Sequence, residues 1–409
     1  MKIDDKKLIT TVIVCILFFI LPFISIPILL IEIYNGRKYA LYLLAIFMGV
    51  LSMFYFPSGD QYRYMQDLLL YRGASFEDVF DFDTILIFRN LNLVNIFIYL
   101  CSKIPFITIE LVRFVFVLIG FLLVFSIYKS IEINMEEAGV SRKRRFLMFM
   151  VLFLSCPLYY ITQGFRSGLG SCFLIFGLYK FIKGEKGVGI VNFILACLIH
   201  YSYVVYIIII IFGLNNRHRY KWSDIIWMAV FVLAGVGIAI TALYSRVPII
   251  QLIIDTYIYG KWGTDIVLNG YLIKEILLIN GLPVVVMYMV SLSIKDKSRL
   301  KNILIINLVL LLISLPFHAI EQRLGIVSLQ LLALYIAISY DKKIIFSKIG
   351  FLLLFLGISF IYPFWMHRLY YQHSDIEKIT YMPLPELLQN TYEERSVYKV
   401  LNSDGIIKK

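Results

Sequence analysis

Long apolar runs separated by short polar segments dominate the chain. The runs can be placed at 8–32, 39–56, 84–102, 105–128, 146–162, 167–183, 188–213, 225–244, 271–293, 303–317, 324–340 and 344–362. With 60% apolar residues in 409, the chain could supply at most about twelve helices of about 20 residues each, the length that crosses a bilayer. The pattern predicts an all-α, polytopic integral membrane protein.

Clusters of Lys and Arg predict which ends of these runs face the cytoplasm. The clusters fall at 37–38, 142–145, 180–186, 217–221, 295–301 and 342–343. If all of them lie on one side, an even number of crossings must separate consecutive clusters. Two places violate this condition when every run spans the membrane, so two runs are expected not to span.

The first exception is the run 84–102, which contains Arg89, Asn92 and Asn95 and is interpreted as an interfacial helix. The second is the run 188–213, which is interrupted by the segment His200–Ser202. Two half-helices of about 12 residues, about 18 Å each, cannot each cross about 30 Å of hydrocarbon, so a re-entrant hairpin is expected. A single tilted span is the alternative.

These assignments give about ten transmembrane helices in a single domain, residues 1–409, with both termini outside. The larger outer segments are the loops 57–83 and 245–270 and the C-terminal tail 363–409. Two short outer segments, 162–168 and 316–324, complete the outer face.

The charge balance agrees with this class of protein. There are 39 Lys and Arg against 27 Asp and Glu, and the excess is explained by cytoplasmic loops without invoking nucleic acid. The five cysteines show no metal or disulfide spacing and are interpreted as packing residues. No P-loop, dinucleotide-binding glycine motif, HExxH or GxSxG occurs, which argues against a pump.

Two outer segments carry polar residues that need an explanation. Asp60 follows Gly59 and either caps the next helix, which would carry Tyr64 and Asp67, or has a chemical role. Arg166 lies among three glycines at 164, 168 and 170, and its planar guanidinium suits phosphate, although an interfacial Arg can also extend to lipid headgroups.

Two later patches are also candidates. His200 lies in an apolar run, where an ionisable group is costly and is by default functional, although a core histidine is the alternative. The segment 316–324 places His318, Glu321 and Arg323 on the outer face. Glu110 and Arg113, spaced i, i+3, are interpreted instead as a structural pair.

Four of these motifs occur in a fixed order. They are Gly59-Asp60 with a tyrosine-rich continuation, Gln163–Arg166 at the head of a helix, Ile199–Ser202, and Gln322–Leu324. Together they resemble the EpsG-type branch of the Wzy-like polysaccharide polymerases, from about residue 37 to the tail, where Ile379–Pro383 is also similar. Family members often have Arg-Gln at the head of the middle helix, whereas this chain has Gln163 upstream of Arg166.

The resemblance implies a membrane glycosyltransferase C-like fold and an enzyme of the bacterial cytoplasmic membrane that acts on the outer face. It would join undecaprenyl-pyrophosphate-linked oligosaccharide repeat units without metal or cofactor. Its partners would be these glycolipids, membrane lipids, a chain-length regulator and a flippase. The expected catalytic candidates are His200, Asp60 and Glu321, and the expected pyrophosphate- or sugar-binding residues are Arg166, Arg323, Gln163, His318, Arg89 and Tyr64.

Three alternative functions remain open at this point. An O-antigen ligase shares the chemistry and differs chiefly in its acceptor. A lipid-linked oligosaccharide flippase should carry its charges along a central cavity. A membrane glycan acyltransferase should offer a cytoplasmic route to its acyl donor.

Overall fold

The computed structural model of the chain is built from helices joined by short connections. It describes residues 5–79, 92–215, 227, 251, 255, 282–294, 299–314, 318–340, 346–366, 376–389, 391–392, 397 and 399–401. The predicted all-α class is confirmed for these residues, whose elements are α-helices and one 3₁₀ helix.

The helices have the following bounds. As far as residue 215 they are α1 (Asp5–Ile20), α2 (Pro22–Tyr34), α3 (Lys38–Met53), α4 (Asp60–Tyr71), α5 (Phe76–Val79), α6 (Leu93–Ser102), α7 (Ile109–Glu137), α8 (Arg142–Ser155), α9 (Leu158–Gly164), α10 (Arg166–Ile182), α11 (Lys186–Ile199) and α12 (Tyr203–Asn215). The later ones are α13 (Leu282–Ser293), α14 (Arg299–Ser314), α15 (His318–Ile338), α16 (Phe346–Met366), the 3₁₀ helix Ile376–Thr380 and α17 (Leu384–Leu387).

The chain divides into two compact units. The first comprises Met1–Phe173, Leu198–His200 and Pro363–Lys409, and the second comprises Leu174–Cys197 and Tyr201–Tyr362. The single membrane domain expected from the sequence stays a prediction.

The core of the first unit lies where α3 packs on α7. A Cβ on Gly49 of α3 would lie 2.8 Å from the Phe114 ring of α7, so the lack of a side chain there lets the two helices approach closely. Helix α4 packs against α6, α7 and α9 beside this core. Three helices of the first unit therefore support α4.

A buried polar network links three helices of the second unit. The Asn307 side-chain amide in α14 donates to the Ser328 hydroxyl in α15 at 2.7 Å and to the Tyr288 hydroxyl in α13 at 3.1 Å. The Tyr288 hydroxyl in turn donates to the Leu304 carbonyl at 2.9 Å. Buried polar groups are costly unless they are hydrogen-bonded, so this network specifies the packing of α13, α14 and α15.

Two described segments are long and apolar enough to cross a membrane, by length and composition. They are Ile109–Glu137, and Arg142–Gly164, which includes the turn at Cys156 and Pro157. The other apolar helices identified among the described residues are shorter, with 10–17 residues. These helices agree with a membrane protein, and the number of crossings stays a prediction.

The first predicted run, 8–32, is divided in the structure at Leu21. Backbone hydrogen bonds from Leu21 N to the Leu17 carbonyl and from Ser25 N to the Leu21 carbonyl keep helical spacing across the break. The cause is Pro22, which has no backbone N–H and whose ring crowds the preceding turn. The run thus forms two consecutive helices, α1 and α2, with helical hydrogen bonds across their junction.

The run 84–102 is described only from Asn92 onward, so Arg89 lies outside the described residues. The Asn92 side chain accepts a hydrogen bond from Asn95 N at 3.0 Å and caps α6. The ten residues of α6 extend about 15 Å, half the thickness of the hydrocarbon core. Local capping thus explains one of the polar residues of this run.

Candidate functional site

Helix α4 carries the first predicted motif. Its N-cap is Gly59, with φ of 57°, a backbone conformation that favours glycine, and Asp60 is the first helical residue. The interpretation of Asp60 as the cap of this helix is therefore wrong, since the N-cap residue is Gly59. Instead, Asp60 Oδ1 lies 2.6 Å from Arg63 Nη2.

The second motif occupies a one-residue break between α9 and α10. The segment 162–168, expected to be an outer turn, is therefore helical apart from Phe165. Phe165 has φ of 32° and ψ of −62°, and it is the non-glycine residue with positive φ among the described residues. Such a conformation costs on the order of 1–3 kcal/mol, so surrounding contacts must hold it.

Aromatic packing supplies those contacts. The Phe165 side chain is fully buried, with its ring stacked on Tyr64 at 4.9 Å and edge-on to Phe116 at 4.8 Å between centroids. Each such pair contributes about 0.5–1.5 kcal/mol beyond burial, which is comparable with the backbone strain. The break thereby fixes Arg166 as the first residue of α10.

Close backbone contact reinforces the same break. A Cβ on Gly168 would lie 2.3 Å from the backbone N of Ile161 and 2.6 Å from the carbonyl carbon of Tyr160. A side chain there would force the backbone to move, because neither neighbour is a flexible side-chain end. Gly168 thus allows α10 to fold back closely against α9.

The two motifs meet in the first unit. A Cβ on Gly164 would lie 4.0 Å from Asp60 Oδ2, so the Asp60 carboxylate lies against the end of α9. Burial raises the pKa of the Tyr64 hydroxyl to about 12, and the nearby charge of Arg166 opposes this shift. The structure therefore brings Asp60, Tyr64 and Arg166 into one cluster.

Asp67, two turns along α4, faces the same charges. Burial raises the pKa of its carboxyl to about 6, while the positive charges of Arg63 and Arg166 act in the opposite direction. The sequence places Asp67 on the predicted helix but offers no sign of its burial.

Arg113 of α7 forms hydrogen bonds that support this cluster. Its side chain is fully buried, and Nε donates to Gln61 Oε1 at 3.3 Å while Nη1 donates to the Ser52 carbonyl at 2.9 Å and to the Tyr55 carbonyl. The Gln61 amide then donates to the Gln163 carbonyl at 3.3 Å.

This chain of hydrogen bonds joins α7, the end of α3, α4 and α9. Gln163, expected to bind substrate, takes part in these hydrogen bonds through its backbone carbonyl. Glu110, the neighbour of Arg113 in the predicted pair, is also buried. Sequence reasoning missed the partnership of Arg113 with Gln61, since the two residues are 52 positions apart.

The C-terminal tail contributes a further support to the first unit. The Tyr392 hydroxyl donates to the Phe54 carbonyl at 2.9 Å, and its ring packs edge-on against Phe56 with 5.4 Å between centroids. Tyr392 thus anchors the tail on the segment that leads into α4.

His200 lies in the predicted interruption, which is confirmed: α11 ends at Ile199 and α12 begins at Tyr203. The His200 side chain is buried, and the residue belongs to the same compact unit as Asp60 and Arg166.

Arg323 belongs to the second unit. The segment 316–324 was expected to be an outer connection, but α15 begins at His318, so His318, Glu321 and Arg323 are all helical. The helix formed by the apolar residues that follow therefore extends back to His318. Arg323 is half-buried, and its charge acts on the buried Tyr206 hydroxyl. The side chains of His318 and Glu321 lie outside the described part of the chain.

Within the described residues, no three His, Cys, Asp or Glu side chains group so as to hold a metal ion. No disulfide joins the cysteines of that part of the chain, and Cys101, Cys156 and Cys172 are buried.

The sequence profile of the EpsG family matches residues 60–383. The chain belongs to the EpsG family. The match begins at Asp60 and extends over the break at Arg166, over His200 and over Arg323, so all four predicted motifs fall within it, apart from Gly59. No curated protein and no solved structure matches the chain.

Proposed function

We propose that this EpsG-family protein is a polymerase that joins undecaprenyl-pyrophosphate-linked oligosaccharide repeat units into surface polysaccharide. The observation that carries the proposal is the convergence of Asp60 and Tyr64 of α4 with Arg166 at the strained start of α10. Family membership supports the substrate class.

The proposed reaction needs fixed positive charge where the leaving group departs. An acceptor hydroxyl attacks the anomeric carbon of the donor, and the bond from that carbon to the pyrophosphate oxygen breaks. Arg166 can bind the pyrophosphate with its guanidinium while the first N–H groups of α10 point toward the same anion. This charge stabilises the leaving group as it forms, and cleavage of the donor linkage drives the transfer.

Arg323 is proposed as a second pyrophosphate-binding residue on its motif, Gln322–Leu324. Because Lys offers a point charge where Arg offers a planar fork, we expect Arg166→Lys and Arg323→Lys each to abolish polymerisation. The amount of protein in the membrane should stay unchanged. Full activity of either variant would show that the planar guanidinium of that residue is not needed to bind pyrophosphate.

The acceptor hydroxyl also has to lose its proton. The candidates from the sequence are His200, Asp60 and Glu321, of which Asp60 is held by an ion pair with Arg63. His200→Gln and Glu321→Gln, assayed beside Asp60→Asn, would rank them.

The proposed orientation places the site on the outer face of the bacterial cytoplasmic membrane, with ten crossings and both termini outside. It requires the segment 188–213 to enter and return on the cytoplasmic side, because basic clusters flank it. A cysteine at position 216, in a cysteine-free protein, should resist an impermeant thiol reagent added from outside. Labelling from outside would show that the segment spans.

Deletion of the gene tests the proposed function in the cell. The expected result is surface glycan carrying one repeat unit, with long chains restored by the wild-type gene but not by the Arg166→Lys variant. Persistence of long chains, with single units accumulating on the cytoplasmic face, would favour a flippase. Normal repeat polymers that fail to attach to their final acceptor would favour a ligase.

A further inference from the structure

Asp67 lies on the face of α4 that carries the proposed site. Asp60, Tyr64 and Asp67 follow one another at i, i+4 and i+7, which places them on one side of a helix. Tyr64 is buried and stacks on Phe165, the residue before Arg166. The face that carries Asp67 is therefore turned toward the start of α10.

The two carboxylates of this face differ in their partners. Asp60 is ion-paired with Arg63 at 2.6 Å, whereas Asp67 forms no ion pair within 4.0 Å among the residues that the structure describes. Asp67 is also half-buried, which limits its hydration without closing it off. Its oxygen atoms are thus available to accept a proton from a bound molecule.

The charges that act on Asp67 come from two helices. Arg63 lies one turn earlier on α4, and Arg166 lies at the start of α10. The phenols of Tyr64 and Tyr71, also on α4, are affected by Asp67 in return. The other helices packed against α4 add no further charge that acts on Asp67 within the described residues.

We propose that Asp67 is the general base that takes the proton of the acceptor hydroxyl. This inference rests on the proposed function. As the acceptor oxygen bonds to the anomeric carbon, its proton moves to an Asp67 carboxylate oxygen. The bond from the anomeric carbon to the pyrophosphate oxygen breaks, and undecaprenyl pyrophosphate leaves with the electron pair beside Arg166.

The electrostatic setting suits this role. Burial raises the pKa of Asp67 to about 6, against the opposing charges of Arg63 and Arg166. A base with a pKa just below the working pH is ionised at neutral pH and is stronger than an ordinary carboxylate. The charge of Arg166 acts on Asp67, so the proposed proton acceptor lies within electrostatic reach of the cation proposed to bind the leaving group.

The test uses the purified full-length protein with lipid-linked repeat units, and follows chain length against pH. The wild-type protein must first lengthen the chains, since a failure there rejects the proposed function and not the role of Asp67. With an active wild type, Asp67→Asn should lower kcat at least about 100-fold. Asp78→Asn, an exposed carboxylate of the same outer segment, is the matched control and should stay active.

The pH profile separates a chemical role from a structural one. Wild-type kcat/KM should fall below a pH of about 6, and this decline should be absent from the residual activity of Asp67→Asn. Asp67→Glu keeps a carboxylate, so it should retain partial activity and the same decline at low pH. This variant tests the role of Asp67 even when the Asn variant is lost from the membrane. Asp67→Asn with wild-type kcat, or with the decline unchanged, would overturn the proposal.

Discussion

The chain has two helix breaks within its predicted motifs, and they are built differently. Between α9 and α10 a single residue, Phe165, makes the turn with a positive φ and a fully buried ring. Between α11 and α12 the turn takes three residues, His200–Ser202, and Tyr201 is 45% exposed. Hydrogen bonds from Val204 N to the Tyr201 carbonyl and from Val205 N to the Ser202 carbonyl restart the second helix locally.

This difference shows how the first break holds a functional group in place. Phe165 keeps a strained backbone only because Tyr64, Phe116 and the close contact at Gly168 determine its position. Packing from several helices therefore fixes the position of Arg166. None of the three residues of the second break has a positive φ, and the hydrogen bonds that restart α12 are local.

Insertion of one alanine should have clearly different effects on activity at the two breaks. Placed after Phe165, it would turn α10 by about 100° and shift Arg166. A displacement of that size should lower polymerisation at least about 100-fold. Placed after Tyr201, the same insertion falls in a non-helical turn beside His200 and should lower activity less than the first insertion does. Equal losses with equal amounts of protein in the membrane would contradict the contrast.

Gly168→Ala should loosen the first break without removing any charged group. The new methyl would clash with the Ile161 backbone, and overpacking of this kind costs about 1–3 kcal/mol of unfolding free energy. Thermal unfolding in detergent is the measurement. Gly187→Ala in α11 is the control, because a Cβ there meets nothing within 4 Å and alanine favours a helix. A Gly168→Ala variant as stable as wild type would show that the close contact is dispensable.

The buried face of α4 should respond to pH in a definite direction. The pKa of Asp67 in the folded protein is raised from 3.8 to about 6, so at neutral pH its ionised form opposes folding. This penalty is present above a pH of about 6 and is relieved as the pH falls from about 6 toward 4. Asp67→Asn should therefore stabilise the protein at pH 7 by roughly 1 kcal/mol, after allowing for solvent screening. A lower unfolding temperature for this variant at pH 7 would show that Asp67 is a structural carboxylate.

Tyr392→Phe should have the smallest effect. It removes one hydrogen bond to the Phe54 carbonyl while leaving the ring against Phe56, at a cost of about 0.5–1.5 kcal/mol. Proteolysis of the tail should accelerate, since its anchor on the segment before α4 is weakened. Tyr381→Phe, on an exposed tyrosine of the same tail, is the control.

Sequence patterns predicted the structure where interactions between residues close in the chain determine it. The polar segment His200–Ser202 in an apolar run indicated the second break, where α11 ends and α12 begins. The helix that begins at Asp60 followed from Gly59 and the residues after it.

Long-range contacts account for most of what sequence reasoning missed. Nothing local indicates that Arg113 reaches Gln61, or that Tyr392 returns to Phe54 across 338 positions. The positive φ of Phe165 gives no sequence signal either, because that conformation normally favours glycine and is imposed here by aromatic packing. The burial of Asp67 likewise depends on helices that are remote in the chain.

Reconstituted polymerisation tests the central claim most directly. Purified protein should convert undecaprenyl-pyrophosphate-linked repeat units into a ladder of longer chains and release undecaprenyl pyrophosphate. Arg166→Lys should lower this rate at least about 100-fold, with Asp78→Asn unaffected. Failure of the folded wild-type protein to lengthen the chains, or an undiminished rate for Arg166→Lys, would contradict the account.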